Sequence, residues 1–318
     1  MKKILLCLAI LFVLPISAAY TQVGGIWSNE LYAPTGSVQE HYDMGMRKLR
    51  DKDYEEALRN FLIVVHHFPD STFYADAIYF TGVTYYFLGH FDLADQQFSR
   101  YLRQRGTLKC FESVFEFKYA IAQYFHEGKK KHPFGIKTLP RMAPARNDAI
   151  RLYDEIIATL PSKDIAAQSL FSKARLLRAR KEFKQSIEIF QTLHRRFPKH
   201  PLAADSYEQI AEIYVDQTRL EAQNPDFLAL AQINLQNFQK AFPSDERIYV
   251  LKACMQQMNE IYASSLYDTG RFYERKGKTL ASRIYYGDAI RKYPSTNAAE
   301  KCQKRIARFD HKEKKSTV

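Results

Sequence analysis

The chain has 318 residues, 46% of them hydrophobic and 26% charged, with 47 Lys and Arg against 35 Asp and Glu and a formal net charge of +12. That apolar content is too high for a disordered chain, and four cysteines are too few for a disulfide-built scaffold. The positive excess suits acidic proteins or an anionic membrane surface. Nucleic acid is set aside as a partner because the first residues read as an export leader.

In that leader, Lys2-Lys3 precede an apolar run from Ile4 to Ile16 and the small residues Ser17-Ala18-Ala19. Residues 1–19 are predicted to be a signal peptide cut near Ala19–Tyr20. The run is shorter than a membrane-spanning helix requires. No cysteine follows it to carry a lipid anchor. Residues 20–37 hold Gly24-Gly25, Pro34 and Gly36 without any period and read as a linker.

From Val38 onward one pattern recurs. Gly45, Ala57, Phe61 and Pro69 stand twelve, four and eight residues apart. The same intervals separate Ala174, Ser186, Phe190 and Pro198, and again Gly270, Ser282, Tyr286 and Pro294. Partial copies carry Ala94 with Phe98, Ala149 with Tyr153 and Pro161, and Ala231 with Leu235 and Pro243. This is the spacing of the 34-residue helix–turn–helix unit, and the chain resembles tetratricopeptide-repeat proteins. Small residues are needed where two helices cross closely. The i, i+4 offset puts the small and the large residue on one buried face. Proline ends the second helix because it lacks an N–H and disfavours helical backbone before it. All of these are structural positions.

The predicted fold is all-α: one continuous solenoid of five to six repeats over 38–310, at 38–71, 75–108, 110–163, 167–200, 201–245 and 263–296, with a capping helix at 297–310. In the second repeat Gly106 stands where the others have proline. Residues 311–318 read as a charged, frayed tail. The third repeat is interrupted at 128–145, where Lys130, Lys131 and Phe134 are candidate contacts for a partner. The fifth repeat has a longer middle from Gln217 to Phe227, and a helical stretch from Asp245 leads into the sixth. Of the cysteines beyond the leader, Cys110, Cys254 and Cys302, a Cys254–Cys302 disulfide is left open.

No G-x-S-x-G, P-loop, H-E-x-x-H or dinucleotide fingerprint is present, so the chain reads as no enzyme, with no cofactor and no metal site. Function is placed instead in the groove lined by the first helix of each repeat. Helical geometry selects Tyr42, Arg50, Tyr79, Tyr86 and Phe87 in the N-terminal half, and Arg175, Arg178, Arg271 and Arg275 in the C-terminal half. The first set is aromatic and suits apolar peptide anchors; the second is basic and suits carboxylates.

Two stretches carry a finer resemblance. The last repeat reads Ser-Leu-Tyr-Asp-Thr-Gly-Arg-Phe-Tyr-Glu-Arg-Lys-Gly from Ser265 to Gly277, followed by Tyr293-Pro294-Ser295-Thr296. In the first repeat the stretch runs from Ala57 to Phe68-Pro69-Asp70-Ser71. Both resemble the BamD family, which assists assembly of β-barrel proteins in the outer membrane. The resemblance implies an exported, periplasmic chain peripheral to the outer membrane. Its N-terminal half would meet the C-terminal signal of unfolded outer-membrane proteins, and its C-terminal half the barrel-forming subunit. Lys276 before Gly277 matches a basic position of that family. The family's lipid-bearing cysteine is missing here. The alternatives are a periplasmic scaffold like the Tol–Pal coordinators, or a repeat-type secretion chaperone.

Overall fold

The computed structural model describes residues 20–23, 26–29, 33–106, 108–133, 140–222 and 224–316. The expected signal peptide lies outside the described residues, as does Phe134. Thirteen helices are described: α1 (Val38–Arg50), α2 (Tyr54–His67), α3 (Tyr74–Phe87), α4 (Phe91–Leu102), α5 (Phe111–His126), α6 (Arg146–Thr159), α7 (Asp164–Ala179), α8 (Phe183–Arg196), α9 (Pro201–Leu220), α10 (Asp226–Ala241), α11 (Arg247–Arg275), α12 (Thr279–Lys292) and α13 (Asn297–Ser316). The chain divides into two compact units, one reaching Ile121 and including Lys130–Ala143, the other holding Ala122–Lys129 and everything from Pro144. The division falls inside α5 and the insertion that follows it, where the repeat pattern is interrupted.

Helix α1 starts with a capping box. The Ser37 hydroxyl accepts from the Glu40 amide at 3.3 Å, and the Ser37 amide donates to the Glu40 carboxylate at 2.7 Å. Such a cap contributes about 1 kcal/mol. Within the pairs, a small residue on the first helix faces a ring sixteen positions later. A Cβ built at Gly45 would lie 2.8 Å from the Phe61 ring, and one at Gly82 would lie 2.8 Å from the Phe98 ring. Gly82 stands in the second pair where Gly45 stands in the first. Ser186 and Ser282 stand where other copies have alanine because each hydroxyl donates across the pair, to the Ala174 carbonyl at 2.8 Å and the Gly270 carbonyl at 2.7 Å.

Seven residues after each small residue the chain turns through left-handed backbone. The positions are Lys52 (φ 61°), Gly89 (φ 74°), Lys181 (φ 62°) and Gly277 (φ 72°). The second helix of each pair ends two residues before its proline. Phe68, Leu160, Phe197, Phe242 and Tyr293 precede Pro69, Pro161, Pro198, Pro243 and Pro294, and share extended-side backbone with ψ of 56°, 54°, 57°, 68° and 56°. Proline at the next position disfavours helical ψ, so the stop repeats with the same geometry. Gly106 does not play this part, since α4 has already ended at Leu102.

Three further boundaries differ from the expectation. The stretch read as linker contains two antiparallel strands, β1 (Tyr20–Val23) and β2 (Ile26–Asn29), with Val23 paired to Ile26. Two consecutive glycines between apolar flanks are a hairpin signal as much as a linker signal. In the fifth repeat helix continues to Leu220 and resumes at Asp226, so the connection is shorter than Gln217–Phe227. The helical stretch expected from Asp245 does lead into the sixth repeat, as one helix, α11, that runs unbroken for 29 residues. The terminal helix continues past Asp310 to Ser316 in place of a frayed tail.

Candidate peptide groove

In the second compact unit, Phe171, Arg175 and Arg178 lie at i, i+4 and i+7 of α7 and share one face. With Glu212, Asp216 and Leu220 of α9 they line a cleft of about 780 Å³. Sequence spacing thus puts Arg175 and Arg178 on the right surface but gives them the same role, and the structure separates them. Arg178 is already engaged: Nε and Nη2 donate to Asp216 at 3.0 and 2.7 Å, and Nη1 donates to Gln209 at 3.2 Å and to Glu212. Its guanidinium fixes α7 to α9 and is not available to grip a ligand carboxylate in two-pronged fashion. Arg175 is exposed. Lys181 and Arg219 border the same cleft.

The sixth pair departs further from the expectation. A second cleft of about 920 Å³ follows α11, and its lining includes Glu260, Ser264, Ser265, Asp268, Thr269 and Phe272. Arg271, Arg275 and Lys276 are not among the residues lining it. Adjacent helical positions differ by about 100°, so a one-residue error in phase turns a groove face into a packing face. Arg271 lies 5.9 Å over the Tyr267 ring, and Lys276 lies 5.9 Å over Phe272. In the same pair Glu274 accepts from the Tyr286 hydroxyl at 2.7 Å and from Arg305 at 3.3 Å. The two clefts thus differ in charge, basic at α7–α9 and acidic along α11.

In the first compact unit the aromatic candidates mostly belong to the packing. Tyr79 is only 8% exposed and sits among Phe80, Phe98, Tyr101 and Phe117. Burial pushes its hydroxyl pKa up to about 12. Tyr42 is half-buried against Phe61, Phe73 and Phe80, with the same consequence. Tyr86 is half-buried against Phe87, Phe91 and Phe117. Helix α3 carries apolar residues all round, so periodicity could not tell its groove side from its core side. Phe87 remains exposed at 51%, its ring stacked at 5.2 Å on Tyr54, and Arg50 is exposed.

Lys130 is exposed and Lys131 half-buried. Directly after them stands His132, which is buried and which sequence reasoning missed. Its Nδ1 lies 2.8 Å from Asp92 on α4, and its amide donates to the same carboxylate at 3.2 Å. Arg141 Nε donates to His132 Nε2 at 3.4 Å. This part of the insertion is strapped to the second helix pair. Partners forty residues apart leave no local sequence signal.

Cys110, Cys254 and Cys302 are free thiols, so no Cys254–Cys302 bridge is present. Among the described residues no three His, Cys, Asp or Glu side chains are placed to hold a metal ion, and no helix is long and apolar enough to cross a membrane.

Residues 168–200 match the family model described as tetratricopeptide repeat. No curated protein matches the chain. Solved structures with similar arrangements include the C-terminal part of a TPR repeat-containing protein from Cytophaga hutchinsonii, at 12% identity and TM-score 0.41, covering 84% of this chain and 88% of that one. PilF of Pseudomonas aeruginosa aligns at 14% identity and TM-score 0.31, covering 84% and 97%. The MamA protein aligns at 16% identity and TM-score 0.38, covering 66% and 92%. The matched segment is α7–α8 with its turn, Ser186 and Pro198, and the same small-residue, ring and proline positions recur in the other pairs. The fold is all-α, built of tetratricopeptide-type helix pairs, a repeat class that binds other proteins.

Proposed function

We propose that this chain is a non-enzymatic scaffold that binds segments of other polypeptides along the first helices of its repeats. We further propose that it serves assembly of β-barrel proteins at the outer membrane, as the BamD family does. The observation that carries the binding reading is the α7–α9 cleft, where exposed Arg175 stands beside Phe171 and Leu220. Apolar side chains next to an exposed guanidinium suit an unfolded segment that presents a carboxylate beside an apolar residue. The barrel-assembly reading rests on the resemblance of Ser265–Gly277 and of Ala57–Ser71, and periplasmic export on the leader at residues 1–19.

The test is affinity purification of the tagged chain from crosslinked cell envelopes, followed by mass spectrometry. The reading predicts recovery of a large β-barrel subunit with repeated periplasmic domains. Recovery of cell-division or peptidoglycan proteins in its place would leave a general periplasmic scaffold.

A further inference from the structure

The two clefts of the second compact unit are lined by residues that stand two positions apart in the chain. Helix α9 ends at Leu220, which lines the α7–α9 cleft and is 62% exposed, and Ala222, two residues on, lines the α11 cleft. Their charges are opposite. The first carries Arg175, Arg178, Lys181 and Arg219 against Glu212 and Asp216, an excess of two positive charges. Because Arg178 engages Glu212 and Asp216, that excess is borne mainly by the exposed Arg175 and Lys181. The second is lined by Glu260 and Asp268 with no base in its lining, and Lys276 stands at its edge, 5.9 Å over the Phe272 ring. Glu260 is partly committed, accepting from the Asn297 and Ala298 amides at the start of α13 at 2.8 and 3.0 Å. Asp268 is exposed.

Ser264 and Ser265 line the second cleft, and Phe272 stands at it, 48% exposed. Small hydroxylated side chains leave room for a backbone and can hydrogen-bond it, while Leu220 and Phe272 offer one apolar contact in each cleft. A segment crossing the end of α9 would pass from a field that favours carboxylates to one that favours ammonium or guanidinium groups.

Resting on the peptide-binding reading above, we infer that this groove selects polypeptide segments by charge order: an acidic block at α7–α9 and a basic block along α11, joined by apolar residues. Opposite blocks on one ligand would each meet complementary charge, whereas a uniformly acidic or basic segment meets repulsion over half the path. The selectivity lies in the repulsion as much as in the attraction.

Three synthetic peptides of about twelve residues, a length that spans roughly 40 Å when extended, test this by fluorescence anisotropy on the full chain at low salt. All share a central Leu-Phe pair. One carries an acidic block, one a basic block and one both, on opposite ends. The two-block peptide is expected to bind at least about fivefold more tightly than the acidic one, the size of a modest charge complementarity. Asp268→Lys should remove that gain and leave the acidic peptide's Kd unweakened. Arg175→Glu should weaken the acidic and two-block peptides alike. Both positions are exposed, and unchanged thermal melting of the variants establishes that they fold. If the two-block peptide binds no more tightly than the acidic one, or Asp268→Lys weakens both equally, charge-order selection is wrong and peptide binding stands. If none of the three binds, the peptide-binding reading itself fails.

Discussion

Gly45 and Phe61 touch so closely across the first helix pair that a methyl group on Gly45 would lie 2.8 Å from the ring. Gly82 with Phe98 and Gly270 with Tyr286 repeat the relationship. The ring has little room to retreat, because Phe61 is fully buried and stacked at 5.5 Å on Phe80. Gly45→Ala should therefore destabilise the chain by about 1–3 kcal/mol through overpacking, despite alanine's better helix propensity. Thermal unfolding followed by circular dichroism checks this. Ala174 occupies the equivalent place opposite Phe190, so Ala174→Gly should cost only about 1 kcal/mol.

The turns make the opposite prediction. Lys52 and Lys181 hold left-handed backbone that Gly89 and Gly277 hold in sister repeats. A non-glycine residue there costs about 1 kcal/mol or more. Lys181→Gly and Lys52→Gly should each raise the unfolding midpoint, and Gly277→Val should lower it.

A buried ion pair holds α5 to α4 in the first compact unit. Lys118 is fully buried and donates to Asp95 at 2.7 Å and Ser99 at 2.8 Å. Lys118→Met removes the cation that offsets the buried Asp95 carboxylate and should cost about 3–5 kcal/mol. The double variant Lys118→Met with Asp95→Leu should recover much of that loss. Denaturant midpoints of the two variants measure the difference.

Part of the acid sensitivity is set by His194. It stacks at 4.1 Å on Tyr207, and burial, reinforced by Arg195, pushes its pKa down to about 4 from an ordinary 6.5. The folded chain keeps the ring neutral, while the unfolded chain takes up a proton as pH falls below 6.5. Its stabilising effect is thus complete above about pH 6.5 and is lost as pH falls toward 4. His66 and His126 are lowered in the same direction by burial, so His194→Phe should flatten only part of the fall. Melting temperatures of both proteins at pH values spanning that window test it.

What could be read in the sequence follows from range. Ala57, Phe61 and Pro69 are legible because a close crossing, a layer-filling ring and a helix stop each demand particular residue types at fixed local offsets. Gly82 obeys the same offset to Phe98, and applying the sixteen-residue interval to every repeat finds it. The fused helix α11 escapes a 34-residue template, yet the stretch from Arg247 to Thr269 holds no proline or glycine to break it. Contacts that join distant positions, such as His132 with Asp92 or Arg178 with Asp216, leave no period to read. Which flank of α3 faces the core depends on helices outside its own sequence, and spacing alone therefore assigns the buried Tyr79 to the groove.

The central claim is that the α7–α9 cleft receives unfolded polypeptide. The direct measurement places a photo-crosslinking amino acid at Leu220, an exposed cleft position that leaves Arg175 in place, or at Arg291, an exposed position outside the cleft lining, and exposes the purified chain to a denatured β-barrel outer-membrane protein. The account predicts a covalent adduct with the probe at Leu220, competed by excess acidic peptide, and little or none with the probe at Arg291. Equal adducts at both positions, or none at Leu220, would contradict it.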